Sequence, residues 1–163
     1  MTTAALLGTG GFEWSDEYLL GHAEMDATHR EFVRSLDTLL LAPDESLRAA
    51  LDAFEMHARQ HFAQEDFDMT QSGYESAGCH VDEHAAVLGS LCEVKEALAQ
   101  GRHQVVRAFA AALADWFPKH ARYMDLGLSR WLTQRRLGGA PVHLLLRNAQ
   151  PARHARAALG SAP

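Results

Sequence analysis

Apolar residues recur at helical spacing in four long runs along this chain. Between Asp26 and Leu41 the positions Phe32, Val33, Leu36, Leu39 and Leu40 follow a 3.6-residue period, which predicts a first helix. Pro43 and Asp44 end it, and Asp44 or a neighbour is placed to cap the next. The second run, Asp44 to Thr70, carries its inner stripe through Leu47, Leu51, Phe54, Ala58, His61, Phe62 and Glu65. Gln71 to Tyr74 reads as a turn. A third helix is predicted from Glu75 to Gln100, through His80, His84, Val87, Leu88, Leu91 and Val94, with Gly101 stopping it. A fourth starts near His103 and runs past Val106, Phe109, Leu113, Trp116 and His120 towards Trp131. No stretch carries a strand signal. Four long helices with short connections predict an all-α, up-down-up-down four-helix bundle.

The two ends read differently from the middle. Residues 1–11 are small and Gly-rich and are expected to be flexible. Phe12, Trp14, Tyr18, Leu19 and Leu20 are apolar but not periodic, so they are expected to form an N-terminal arm over one end of the bundle. The bundle itself is expected to span residues 12–134. Residues 135–163 are expected to be a basic C-terminal tail, partly disordered, with one or two helical turns at Val142 to Arg147.

Charge sharpens that division. The net charge of −6 conceals an acidic body and a basic end: residues 126–163 hold six Arg and no acid, and all 21 Asp and Glu precede them. Such an asymmetry suggests a separate tail, with a protein partner of its own or none. No nucleic-acid site stands out. No apolar run reaches the roughly 18–20 residues that span a bilayer, and Met1 to Leu7 lacks the basic region and apolar length of a signal peptide. A cytoplasmic location is expected. Cys79 and Cys92 would face about 140° apart on one helix and so cannot pair there. They read as reduced thiols filling small core positions.

Ten histidines change the picture. His29 lies one turn before Val33 and two before Leu36, so it faces inward with them. His61 and Glu65 share a face four residues apart, and His80 and His84 repeat that spacing. His120 and Asp125 come from the fourth helix. Five imidazoles and two carboxylates would therefore meet in one volume, as in metal sites built inside helix bundles. Seven donors are too many for a lone structural zinc, which takes four and usually includes Cys. Two bridging carboxylates and a solvent-derived oxygen bridge would supply three ligands to each of two metals. His80, His84 and His120 would then complete one metal at six, while His29 and His61 leave the other at five with a position open. Imidazole and carboxylate with an open position suit iron. Carboxylate-rich di-iron oxidases place Glu-x-x-His on two helices, and no Glu here has His three residues on. A His-rich set carries less negative charge and favours reversible oxygen binding over oxygen activation.

At these residues the chain resembles hemerythrin. The resemblance runs from Trp14 to about Asp125. It includes Glu13-Trp14-Ser15-Asp16-Glu17-Tyr18, Leu20-Gly21, Met25-Asp26-Ala27-Thr28-His29, His61-Phe62, Glu65-Asp66 and Met69. Gly73-Tyr74, His80-x-x-x-His84, Trp116 and His120-x-x-x-x-Asp125 complete it. The resemblance implies a non-haem di-iron centre, two iron ions with a bridging oxo or hydroxo group, that binds dioxygen at the five-coordinate iron. It implies His80, His84 and His120 on the closed iron, His29 and His61 on the open one, and Glu65 and Asp125 as bridges. Departures are Glu75 where the family often has Pro, Ala121 where it usually has a larger aliphatic residue, and Pro118 inside the fourth helix.

The function expected on this basis is reversible dioxygen binding, for carriage, storage or delivery, by a protein that is not an enzyme. The alternatives are an oxygen, redox or nitric-oxide sensor, and a peroxidase or nitric-oxide reductase using the same site. Nitric oxide and small anions such as azide are the further ligands expected. No kinase, cyclase or methyl-accepting segment is read in the sequence, which weighs against the sensor. Proton donors near the open metal are not evident, which weighs against the enzyme. Phe32, Phe62, Trp116, Phe117 and Ala121 are expected around an oxygen pocket, with Ala121 as its gate. His57, one turn before His61, is expected behind the ligands, while His22 near the bundle mouth and His103, His143 and His154 are expected on the surface or in the tail. Five residues on a regular α-helix would set His120 and Asp125 about 140° apart. Pro118 cannot donate to the carbonyl of Ala114, so a π-type turn or kink is predicted between Ala114 and Asp125.

Overall fold

Helices form where the apolar periods predict them, and the polar residues at their ends decide the boundaries. The computed structural model of the chain describes residues 11–138. Within them α1 spans Ala23–Leu41, α2 Leu47–Ser72, α3 Ala77–Ala99 and α4 His103–His120. The last continues through a π-helical turn, Ala121–Asp125, into α5, Leu126–Arg136. Each of α1 to α4 packs on the next, and α1 closes the ring against α4. The fold is an all-α four-helix bundle. No described helix is long and apolar enough to cross a membrane.

The start of α1 lies three residues before the predicted one because His22 caps it, its Nδ1 accepting the Met25 N–H at 3.5 Å. His22, expected to be exposed, is therefore buried. Asp26, inside the first turn, turns back to accept the N–H groups of Leu20 and Gly21 at 2.7 and 3.2 Å. Asp44 does not cap α2. It pairs with His103 Nδ1 at 2.9 Å and with Arg107, and Arg107 also donates to the Ala42 carbonyl at 3.1 Å. The α1–α2 connection is thus tied to the first turns of α4. Gly73, at φ 69°, ends α2 in the left-handed conformation that glycine adopts without a Cβ clash.

The N-terminal arm lies on the bundle from Gly11 onward, its aromatic residues set along α1 and against Phe117 of α4. Phe12, Trp14 and Tyr18 pack against the main core. The rings of Phe12 and Tyr18 meet Phe117 edge-on at 6.2 and 5.5 Å, and Arg30 lies over the Trp14 ring at 4.5 Å. Phe12 N–H donates to Asp37 Oδ1 at 2.8 Å, and the Ser129 hydroxyl donates to the Leu20 carbonyl at 3.0 Å. Cys79 and Cys92, read as small core residues, are instead exposed. Neither sits on the apolar stripe of α3, which runs through Val87, Leu91 and Val94. The expected flexibility of residues 1–10 and the tail beyond Gly138, with its helical turns at Val142 to Arg147, lie outside the described residues.

Two apolar clusters hold the bundle. The larger includes Leu36, Leu39, Leu47, Leu51, Phe54, Leu91, Val106 and Leu113. The smaller gathers Leu20, Met25, Met69 and Leu128, with Tyr74 and Leu126 against it. Between them the inward positions of all four helices turn polar.

Candidate metal centre

His29 from α1, His61 and Glu65 from α2, and His80 and His84 from α3 are all buried, as are His120 and Asp125 at the two ends of the π-helical turn. Their ligating atoms fall into two groups, each within 4.8 Å of one another: Glu65, His80, His84, His120 and Asp125; and His29, His61 and Glu65. Glu65 belongs to both. Asp125 reaches towards both as well, its Oδ1 2.9 Å from His80 Nε2 and 3.2 Å from His120 Nε2, and its Oδ2 3.2 Å from His29 Nε2. The structure therefore brings together all seven residues singled out as ligands and sets two carboxylates between two sets of imidazoles.

The π-helical turn makes this possible. The Leu126 N–H bonds to the Ala121 carbonyl five residues back, one residue further than in an α-helix. The extra residue per turn cancels the angular offset, so His120 and Asp125 share one side of the helix. The distortion predicted from Pro118 and the five-residue spacing is present, and Pro118 stands inside α4 just before it.

Whether these residues fit a metal is answered by their unpaired atoms. Among the described residues, both ring nitrogens of His29 and of His80, Nδ1 of His61, Oε2 of Glu65 and both oxygens of Asp125 are buried without a hydrogen-bond partner. They lie close to one another yet miss hydrogen-bond geometry, which is the arrangement of donors aimed at a common point rather than at each other. Buried polar atoms left this way cost about 1–3 kcal/mol each, and a cation is what would satisfy them.

His84 and His120 add a sharper sign. His84 Nδ1 lies 2.8 Å from Asp66 Oδ1, and His120 Nδ1 lies 2.6 Å from Glu83 Oε2. A carboxylate accepts, so each Nδ1 carries the proton and each Nε2 presents a lone pair. The two Nε2 atoms are 3.2 Å apart. Two lone pairs facing at that distance repel unless an electron acceptor sits beside both. Asp66 and Glu83 went unremarked as contributors in the sequence reading, which followed inward stripes. Their signal in the sequence was position, each one residue beside a candidate ligand, with Asp66 also inside the Glu65-Asp66 motif.

Protonation in the metal-free protein follows the same logic. Burial would push Glu65 up, but the imidazoles around it, His61 first, hold it well below the usual carboxylate range. Asp125 is pushed up by burial and by Glu65, and is still held below its usual range by His120, His29 and His80. Burial would lower His29 and His80, yet Asp125 and Glu65 raise both to about 9. Protons stand in for the missing positive charge, and a metal must displace them.

The five residues expected around an oxygen pocket divide between two sides. Phe117 meets His29 edge-on at 5.2 Å, and Phe32 meets His61 at 5.8 Å; the two phenyl rings stack on each other at 4.8 Å. Phe62 stacks on His84 at 4.1 Å and Trp116 on His120 at 4.3 Å, so these two buttress the three-histidine side. Ala121 is buried in the main core cluster. His57 belongs to neither metal group; its ring lies 5.8 Å from His61 and 6.2 Å from Phe32, and its Nδ1 is 3.8 Å from Glu31. Burial, then His61, pushes its pKa down. A cavity of about 120 Å³ between α1 and α2 is lined by His22, Glu24, Met25, Thr28, Gln64 and Asp68 and reaches His61 and Glu65. Titratable groups that the sequence left unconnected to the site therefore stand at its edge.

Comparison with known proteins agrees with this geometry. The Hemerythrin HHE cation binding domain matches residues 20–132. A Bacteriohemerythrin of Ralstonia nicotianae is 35% identical over 123 residues, covering 76% of this chain and 90% of that protein.

Proposed function

This chain belongs to the hemerythrin family, and from that premise we propose that it binds dioxygen reversibly at a pair of iron ions, for carriage, storage or delivery. The observation that carries the reading is the convergence of seven buried donors into two groups that share Glu65. His80, His84 and His120 would hold one iron and His29 and His61 the other, with Glu65 and Asp125 spanning the two. When bound, the iron pair supplies the electrons that dioxygen takes up on binding and returns on release.

The chain's own residues do the rest. Two carboxylates among five imidazoles give a modest negative charge, which suits metal–ligand chemistry that reverses. Phe32 and Phe117 pack beside the two-histidine position and cover it on the side away from the cavity lined by His22, Glu24 and Asp68. Three imidazoles stand on one side and two on the other, so a metal held by His29 and His61 would have room for an external ligand, for which nitric oxide or azide would compete.

A second reading has its own observation. The cavity that reaches His61 and Glu65 is lined by His22, Glu24 and Asp68, a polar route from solvent to the centre. Proton supply favours reduction of peroxide or nitric oxide at the same centre. Anaerobic loading with ferrous iron, then alternating oxygen and vacuum under a visible spectrometer, separates the two. Colour that returns over many cycles is the expected result. One-way loss of colour in the first cycles refutes carriage and favours the catalytic reading or a sensor.

A further inference from the structure

Five histidines face the centre, but only two have a partner on the far side of the ring. His84 Nδ1 meets Asp66 at 2.8 Å and His120 Nδ1 meets Glu83 at 2.6 Å. The Nδ1 atoms of His29, His61 and His80 are buried with none. Both partnered histidines belong to the same set of three. We propose that Asp66 and Glu83 are positioning residues that make the three-histidine position the tighter of two metal positions, the first to fill and the last to empty. The inference rests on the two-metal reading above.

The physical case has three parts. A carboxylate on Nδ1 fixes the tautomer, so Nε2 offers its lone pair inward before any metal arrives. That negative charge also makes the ring a stronger donor. Each pair spans two elements, Asp66 on α2 to His84 on α3, and Glu83 on α3 to His120 at the end of α4, so each also sets ring orientation between helices. Stacking by Phe62 and Trp116 fixes the same two rings from the side. The carboxylates themselves stay 37% and 36% exposed while the rings are 1% exposed, so the negative charge reaches the centre without itself being fully desolvated. At the other position, His29 packs against Phe117 and His61 against Phe32, Phe62 and His57, and neither Nδ1 has a hydrogen-bond partner among the described residues.

Cobalt(II) serves as the probe, because its visible bands report ligand geometry without oxygen chemistry. The wild-type chain is expected to take up two equivalents and to release them to excess EDTA in a fast and a slow phase. Asp66→Ala and Glu83→Ala are each expected to weaken the slow equivalent by about 10–100-fold and to leave the fast one unchanged. Asp66→Asn and Glu83→Gln keep an amide oxygen that accepts from Nδ1–H, and are expected to recover most of the retention. Loaded with iron, those two amide variants are expected to show a more positive reduction potential than wild type, because the hydrogen bond remains and the charge does not. A merely structural role predicts neither the recovery nor the potential shift. Alanine variants that fold and retain the slow equivalent, or lose both equivalents alike, overturn the inference. If the alanine variants do not fold, an unchanged potential in the amide variants overturns it. A wild type that binds fewer than two equivalents overturns the two-metal reading, and this inference with it, before any variant is made.

Discussion

The same four helices build two unlike halves. In one, Leu36, Leu39, Leu47, Leu51, Phe54, Leu91 and Val106 fill the space between helices with apolar side chains. In the other, one or two turns away, the corresponding inward positions are His29, His61, Glu65, His80, His84 and His120, joined by Asp125 from the π-helical turn. Most of these have at least one buried atom without a hydrogen-bond partner. The first half is stable by burial alone, at about 25 cal/mol per Å² of apolar surface. The second is not complete until a cation supplies the charge that its carboxylates face. One half folds the chain by apolar burial, and the other is expected to make its stability respond to metal.

Removing the metal should therefore produce the largest effect. A ligand present at a thousand times its dissociation constant stabilises a fold by about 4 kcal/mol, and each kcal/mol moves the midpoint by about 2–4 °C at this size. Chelation under anaerobic conditions is expected to lower the melting temperature by about 10 °C, read by circular dichroism. An unchanged curve after verified removal would erase the distinction between the halves.

Damage to the apolar half should be blind to metal. Phe54 is fully buried and packs edge-on against Phe32 at 5.2 Å. Phe54→Ala is expected to cost about 3–5 kcal/mol, by a similar amount in the loaded and the metal-free protein. Denaturant titrations of both forms check this. A cost confined to the loaded form would mean that the two halves are not separable.

Acidity should separate the halves more gently. In the metal-free protein His29 and His80 are raised from 6.5 to about 9. Their pairing with the carboxylates is fully present below 6.5 and is lost as pH rises through about 9. Glu65 and Asp125 are lowered, so their contribution is present above the ordinary carboxylate range, roughly 4, and is lost on acidification. The metal-free melting temperature should be highest between those limits and should fall towards pH 9 and above, whereas the loaded protein should not show that alkaline fall. Metal uptake must displace the same protons, so affinity should strengthen as pH rises towards about 9. Melting curves and metal titrations from pH 6 to 10 test both signs.

The smallest effect is expected at Ala121, which touches both halves: it follows a ligand and lies buried in the main core cluster. Ala121→Ile is expected to cost about 1–3 kcal/mol through overpacking and to slow autoxidation of the iron-loaded protein by keeping water out. An unchanged autoxidation rate in a folded, loaded variant removes Ala121 from any gating role.

The two halves also differed in how legible they were. Apolar periodicity alone places α1 to α4, because burial in the larger cluster is what creates that period. Six of the seven donors were legible for the same reason, since His29, His61, Glu65, His80 and His84 continue the stripes that Leu36, Leu51 and Leu91 define, and His120 continues that of Leu113. The π-helical turn could be inferred because two ligands five residues apart cannot share a face of a regular helix. Features outside the stripes were not legible. Asp66 and Glu83 are partly exposed, and their place behind His84 and His120 shows only when α2, α3 and α4 are set side by side. His22 was misjudged because a cap depends on the local turn, and Leu20, Gly21 and Asp26 set that turn through backbone contacts. The exposure of Cys79 and Cys92 was misjudged because cysteine is so often buried, while the stripe of α3 that excludes them was the better guide.

The central claim is that the polar half holds two metal ions between shared carboxylates. Anaerobic titration of the metal-free chain with ferrous iron, with bound iron counted per chain, tests it most directly. Uptake that breaks at two equivalents, with both lost in Glu65→Ala and Asp125→Ala variants that still fold, is the predicted result. Saturation at one equivalent, or retention of two by either variant, would contradict it.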